Sequence, residues 1–223
     1  MIVCVGCQAI SWRLFGKPYC LCEDCLAELQ SLYEPCYMEW HTSKQQGSEP
    51  LVAGIALYKY QGLMRDLIIQ AKAGKCSFSL RTIMYLWHAS IEMTNWLKSC
   101  HVVTPVNSSL AGRLRGGFDI AYHLACSRDL KLKRGPIHDR FRLRKQSFIS
   151  SKLRKEDSAQ FFLKTYSLDL MDDRDQAFYG IIDDIVTSGQ SIFKTITNFN
   201  PSAYQQLKIA ALAYACSQDK TSV

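Results

Sequence analysis

The spacing of apolar and polar positions divides most of the chain into short elements. Val52 to Tyr58 is a nearly unbroken apolar run, which predicts a buried strand. Tyr60-Gln61-Gly62 reads as a turn. From Leu63 to Lys72 the apolar residues fall at Leu63, Met64, Leu67, Ile68 and Ala71, the spacing of one helix face, and Ala73-Gly74-Lys75 ends that helix. Phe78 to Leu97 predicts one or two further helices, and His101 to Val106 a short strand. Phe118 to Leu130 predicts a helix with Ala121, Leu124 and Ala125 on one face. Ala177 to Ile182 predicts a strand, Ser188 to Phe199 a helix closed by Asn200-Pro201, and Leu207 to Ala215 the last strand. Strands that alternate with helices predict an α/β fold, a mostly parallel sheet with helices on both faces.

Residues 1–47 show little periodicity and are rich in Cys, aromatic and polar residues. A segment this small buries too little apolar surface to fold alone, so a metal staple is expected there. Gln45 to Pro50 reads as a linker. The expected organisation is a small N-terminal module over 1–47 and an α/β domain over 51–223.

Composition narrows the class. Of 223 residues, 48% are hydrophobic and 21% charged, which excludes a disordered chain, a collagen-like fibre or a coiled-coil rod. No apolar run approaches the ~20 residues of a membrane helix. Met1-Ile2-Val3-Cys4 carries no basic stretch ahead of an apolar one, so no signal peptide and a cytoplasmic location are expected. The net charge of +7 is concentrated: residues 109–155 hold 13 Lys and Arg against Asp119, Asp129 and Asp139, a local +10. Such a segment suits a polyanionic partner; the alternative is a solvated basic loop. Phe118, Phe141 and Phe148 interleave with these charges and Tyr122 lies near, as either stacking surfaces for single strands or core residues.

The chemistry is most specific at Phe178 to Ser191. An apolar strand runs into Asp183-Asp184, then into the small-polar turn Thr187-Ser188-Gly189-Gln190-Ser191, then into a helix. Such a loop aims free N–H groups at an anion, Gly189 permits close backbone approach, and the hydroxyls of Thr187, Ser188 and Ser191 add donors. The two carboxylates repel a phosphate and suit sugar hydroxyls or a neighbouring Mg²⁺. A ligand with one phosphate and one polyol, a ribose 5-phosphate, meets both demands. The alternative is an Asp-Asp turn with Ser188 as an N-cap.

Cys4-x-x-Cys7 and Cys22-x-x-Cys25 lie 14 residues apart. Two knuckles of this kind place four thiolates around one ion, and four sulfurs in tetrahedral geometry favour Zn²⁺. Cys20 is a competing ligand, and Cys36 with His41 are reserve ligands or core. Cys76, Cys100, Cys126 and Cys216 stand in apolar contexts and read as small core residues.

These motifs together resemble the ComF family, also called GntX, of phosphoribosyltransferase-like proteins associated with competence. The stretch Asp183 to Ser191 resembles the ribose-phosphate motif of type I phosphoribosyltransferases. Ala56 to Gly62 followed by Lys72 resembles the family's aromatic-Tyr-x-Gly…Lys segment. Val103-Thr104-Pro105-Val106 with Arg113, Arg115, Gly117, Phe118 and Ala121 resembles its Pro-Val-Pro…Arg-Gly-Phe-Asn-Gln-Ala segment. Gln146, Ile149, Arg154 and Asp157 match the spacing of its Gln-x-x-Leu-x-x-x-x-Arg-x-x-Asn signature. The chain departs where Gly116-Gly117-Phe118-Asp119-Ile120 replaces Arg-Gly-Phe-Asn-Gln, at Asn107, and at Asp157.

The resemblance implies a type I phosphoribosyltransferase-like fold with an N-terminal four-cysteine zinc knuckle. It implies that Asp183 and Asp184 hold ribose hydroxyls or Mg²⁺, and that Thr187, Ser188, Gly189, Gln190 and Ser191 cradle the 5′-phosphate. It further implies a role in natural transformation: binding single-stranded DNA, alongside a DNA translocase or helicase and a strand-loading protein. Arg113, Arg115, Arg140, Arg142, Arg144, Lys145 and Arg154 would then meet pyrophosphate or DNA phosphates. The alternative function is active transfer of ribose 5-phosphate from phosphoribosyl pyrophosphate, with Mg²⁺, to an acceptor.

Overall fold

A computed structural model describes residues 2–11, 20–40, 52–106, 117–126, 131–132, 178–187, 192 and 207–215. β1 (Ile2–Val3) and β2 (Ile10–Ser11) form an antiparallel ribbon. α1 (Glu23–Leu32) and β3 (Tyr33–Trp40) follow. β4 (Val52–Lys59), α2 (Gly62–Lys72), α3 (Ser77–Ala89), α4 (Ile91–Leu97) and β5 (Cys100–Pro105) come next. α5 (Ile120–Cys126), β6 (Lys131–Leu132), β7 (Phe178–Val186) and β8 (Leu207–Tyr214) complete the described elements.

The main sheet runs β3-β4-β8-β7-β5-β6. Every pairing is parallel except β3 with β4, so the sheet is mixed, with one antiparallel edge strand. The central strands are mostly apolar, as strands covered on both faces must be. Neighbouring positions on them divide between two buried clusters. Ile55, Leu57, Ile182, Ala210 and Leu212 meet α2 to α5. Val52, Ala56, Ile181, Ile209 and Ala211 form the other cluster, where Ile192 also packs. The helix expected over Ser188 to Phe199 lies outside the described residues apart from Ile192, which is helical and buried.

Sequence periodicity located β4, α2, β5 and β8 to within one or two residues. The Phe78–Leu97 stretch is two helices, broken where the Ser90 side chain accepts from Met93 N at 3.1 Å and caps α4. Two differences matter more. β7 does not end at Ile182 but continues through Asp183 and Asp184 to Val186, so both acids sit on the strand itself. And α1 and β3 lie in the segment expected to lack periodic structure. β3 pairs with β4 from Tyr33↔Tyr58 to Trp40↔Val52, and Cys25, Leu29 and Leu32 of α1 are buried in the same cluster as Leu63 and Met64 of α2.

α1 is also tied to α2 by a cap. The Glu28 carboxylate accepts from Leu63 N at 2.8 Å, supplying the partner that the first turn of α2 lacks. Gly62, at φ +47°, lets it come this close, because a Cβ there would stand 2.8 Å from Glu28 Oε1.

Candidate functional site

Two sites assemble from residues distant in sequence. The first is at the N-terminus. After Cys4 the backbone folds back tightly: Gln8 N bonds Cys4 O at 2.9 Å, Cys4 N bonds Ala9 O at 2.8 Å, and Gln8 takes φ +62°. Val5 N bonds Cys20 O at 2.8 Å, laying this turn against the start of α1, where Cys22 is the N-cap residue. The Sγ atoms of Cys4, Cys7, Cys22 and Cys25 all lie within 4.8 Å of one another. Cys7 Sγ and Cys22 Sγ are 3.7 Å apart. Sulfurs bound at ~2.3 Å to a tetrahedral ion sit about 3.8 Å apart, so the spacing suits such an ion.

The electrostatics point the same way. Burial pushes the Cys4 thiol up, but N–H groups of Cys22, Cys7 and Gly6 aim at its sulfur and bring it down to about 7. One of these, Cys22 N, donates to Cys4 Sγ at 3.3 Å. Cys25 is pushed far up by burial, with the other three sulfurs adding to the cost of a further thiolate. Four sulfurs this close cannot all ionise without a cation among them. The four cysteines therefore form a cluster able to hold a metal ion such as zinc.

The remaining cysteines stand apart from that set. Cys20 is buried beside it without joining it, and burial raises its thiol. Cys36 is half-buried on β3, and His41 lies outside the described residues. Cys100 is buried as expected for core. Cys76 is only half-buried, and Cys126, expected in the core, is exposed: it ends α5, beyond the buried face made by Ala121, Leu124 and Ala125.

Gly6 shows how tightly the knuckle is built. A Cβ on Gly6 would stand 2.7 Å from Cys25 Sγ and 3.0 Å from Leu63 Cδ1. Gly6→Ala is expected to displace a sulfur of the cluster and to weaken metal retention about tenfold or more, the scale on which mispositioned ligand shells fail. Competition against a chromophoric chelator measures it; unchanged retention would show that the sulfur has room to move.

The second site lies at the C-terminal ends of the strands. From β5 the chain passes through α5 to β6 on one side, and from β7 it passes to β8 on the other. Connections that diverge from neighbouring parallel strands leave a crevice beyond their carboxyl ends, where α/β sheets bind ligands. β5 ends with Pro105 opposite Ile182, and Val106 N closes it on Ile182 O at 2.8 Å. Asp183 and Asp184 are the next residues of β7, standing past the end of β5 and leading to exposed Thr187.

Asp183 is only 7% exposed and accepts from Asp184 N at 2.8 Å. Burial pushes its carboxyl well above the usual range and the Asp184 charge adds to this, while the Lys72 charge and that N–H oppose them. Asp184 faces α2, whose last residue, Lys72, meets it: Nζ to Oδ2 is 2.7 Å. Burial alone would pull the Lys72 ammonium down, but the Asp184 charge and hydrogen bond, with Asp183 behind them, hold it above its ordinary value. In the sequence Lys72 marks only the end of a helix and of a segment that resembles one of the ComF family. Its spacing gave no sign that it meets a carboxylate 112 residues later.

The β5–α5 connection returns to the same place. Phe118 N donates to Ala71 O at 3.2 Å, next to Lys72. Asp119, which stands where the resembled family carries Asn, caps α5 by accepting from Tyr122 N at 3.2 Å, a role either residue fills. Phe118 and Tyr122 are half-buried and both make edge contacts with His123, so each spends part of its ring on packing. Ser188, Gly189, Gln190 and Ser191 lie outside the described residues, as do Arg113, Arg115, Arg140, Arg142, Arg144, Lys145 and Arg154.

Among the described residues no helix is long and apolar enough to cross a membrane. No family model matches the chain, and no curated protein matches it.

Proposed function

We propose that this protein binds a phosphoribosyl ligand of the phosphoribosyl pyrophosphate class, with a divalent cation, on a type I phosphoribosyltransferase-like domain that carries a structural zinc knuckle. The observation that carries this reading is the place of Asp183 and Asp184. They stand on β7 just past the end of β5, at the point where the connections diverge, one strand residue pair before Thr187 and the small-polar turn. Carboxylates there suit ribose hydroxyls or Mg²⁺, and the turn's N–H groups and hydroxyls suit the 5′-phosphate. Zinc is the ion that four thiolates favour.

The +10 segment over 109–155 supports a second role for the same chain, contact with single-stranded DNA during its uptake. Fluorescence anisotropy with a labelled single strand, over a salt series, tests the two roles together when run with and without phosphoribosyl pyrophosphate and Mg²⁺. The DNA role predicts micromolar or tighter binding with a steep loss as salt rises, and a flatter slope when Arg140, Arg142, Arg144 and Lys145 are neutralised. A shift in DNA affinity on adding the ligand would link the two sites. Calorimetric titration of phosphoribosyl pyrophosphate with Mg²⁺ tests the ligand role directly, and no heat at millimolar ligand would overturn it.

A further inference from the structure

A polar group that the ligand reading does not need sits inside the site. Lys72 ends α2, where a cation is favoured by the helix C-terminus alone. Its ammonium nevertheless does more than cap that helix, because it reaches across to β7 and meets Asp184 Oδ2 at 2.7 Å. The two partners differ in exposure: the Asp184 side chain is 13% exposed and that of Lys72 45%. The carboxylate is fixed on a central strand, while the ammonium, on a flexible four-carbon stem, has room to leave it. Any divalent cation or ribose hydroxyl that takes Asp184 must compete with that ammonium, and an ammonium released there needs a new anionic partner.

We propose that Lys72 is a ligand-binding residue: its ammonium balances Asp184 before ligand arrives and transfers to a phosphate oxygen once a divalent cation or ribose hydroxyl takes the carboxylate. This rests on the phosphoribosyl reading above and adds to it a third group, contributed by α2. The exchange leaves each charged group with a partner: the cation takes the carboxylate, and the ammonium takes a phosphate. Two carboxylates and one ammonium carry a formal −1 in the empty site, and the cation that displaces the ammonium arrives with the anionic ligand that accepts it. It also gives the site selectivity. A bare cation must break the ion pair with nothing to receive the ammonium, whereas a cation bound to a phosphorylated sugar brings its own acceptor.

The test uses the zinc-loaded full chain and two probes: Mn²⁺ alone, and phosphoribosyl pyrophosphate with Mg²⁺. Replacing Lys72 with Met keeps the stem and removes the charge. Lys72→Met is expected to bind Mn²⁺ about tenfold more tightly, because the opposing charge beside Asp184 is gone. The same variant is expected to bind phosphoribosyl pyrophosphate about tenfold or more weakly, because a charge-assisted bond to phosphate is lost. Lys72→Arg is expected to retain most of both behaviours. Opposite shifts for the two probes are the signature, since a residue that only supports the fold would weaken both together. Equal weakening of both, with Lys72→Arg failing as well, would overturn the proposal, and so would Mn²⁺ affinity unchanged in Lys72→Met. If the unaltered protein binds no phosphoribosyl pyrophosphate, the phosphoribosyl reading and the phosphate half of this proposal fall together. The Mn²⁺ arm then still decides whether Lys72 guards Asp184.

Discussion

Replacing Cys4 with Ser is expected to lower the melting temperature by ~10 °C or more and to release the metal. The reason is where the four sulfurs sit. Cys4, Val5, Cys20, Leu21 and Cys25 are buried in one cluster with Leu63 and Met64 of α2, so the knuckle is part of the main core. Structural zinc contributes on the order of 10 kcal/mol in small modules, against about 5–15 kcal/mol for a whole domain. Losing even a third of that corresponds to roughly 10 °C for a chain of this size. The loss would begin at α1 and pass to α2 through Glu28, whose carboxylate caps Leu63 N. Elemental analysis of freshly purified protein should find one zinc per chain, and circular dichroism with and without a chelator should follow the unfolding. Cys126→Ser serves as the control, because Cys126 is exposed and outside the cluster, and surface changes of that kind stay within ~0.5 kcal/mol. Metal-free protein with an unchanged melting curve would remove zinc from the account.

What could be read from the sequence follows from which residues carry each signal. β4, α2, β5 and β8 announce themselves because their apolar residues do a single job, burial, at a clean period. α1 was hidden because one of its buried positions is a cysteine. Cys25, Leu29 and Leu32 keep helical spacing, but Cys25 counted as a metal ligand drops out of the apolar pattern. β3 was hidden for a different reason. It is an edge strand with Tyr37 67% exposed and Pro35 within it, so neither alternation nor an apolar run marks it. The four clustered cysteines were legible from spacing alone, because a C-x-x-C knuckle is local. Asp183 and Asp184 were legible as a pair, although not as strand residues: two adjacent acids look like a turn, and only the ladder to Ala211 and Ala213 keeps the chain extended through them. Lys72 could not be found this way, because its partner is brought to it by tertiary packing.

Asp183→Asn is expected to make the fold more stable at neutral pH while weakening phosphoribosyl pyrophosphate binding about a hundredfold. Asp183 is buried, and burial followed by the Asp184 charge holds its carboxyl well above the usual range despite Lys72 nearby. In the unfolded chain the same group loses its proton near pH ~3.9. Between that pH and its raised native value the folded protein holds more protons than the unfolded one. Stability therefore falls as pH rises through this window and stays at the lower level above it. Below pH ~4 both states are protonated and the group costs nothing by this route. An amide keeps the acceptor for Asp184 N, now at 2.8 Å from the carboxylate, and has no charge to bury. The gap between Asp183→Asn and the unaltered chain should thus be small in acid and widen toward neutrality, as urea unfolding at pH 4, 5.5 and 7.5 would show. Binding should move the other way. A neutral amide neither attracts a divalent cation nor accepts strongly from two ribose hydroxyls, and losing charged bonds worth about 3 kcal/mol is roughly a hundredfold in affinity. Asp184→Asn should lose binding without that gain, since its charge is already met by Lys72. A carboxylate kept where it weakens the fold makes sense if a ligand or cation uses it. If Asp183→Asn gains stability yet binds phosphoribosyl pyrophosphate as before, Asp183 is not a ligand group and the site must be rebuilt around Asp184 alone.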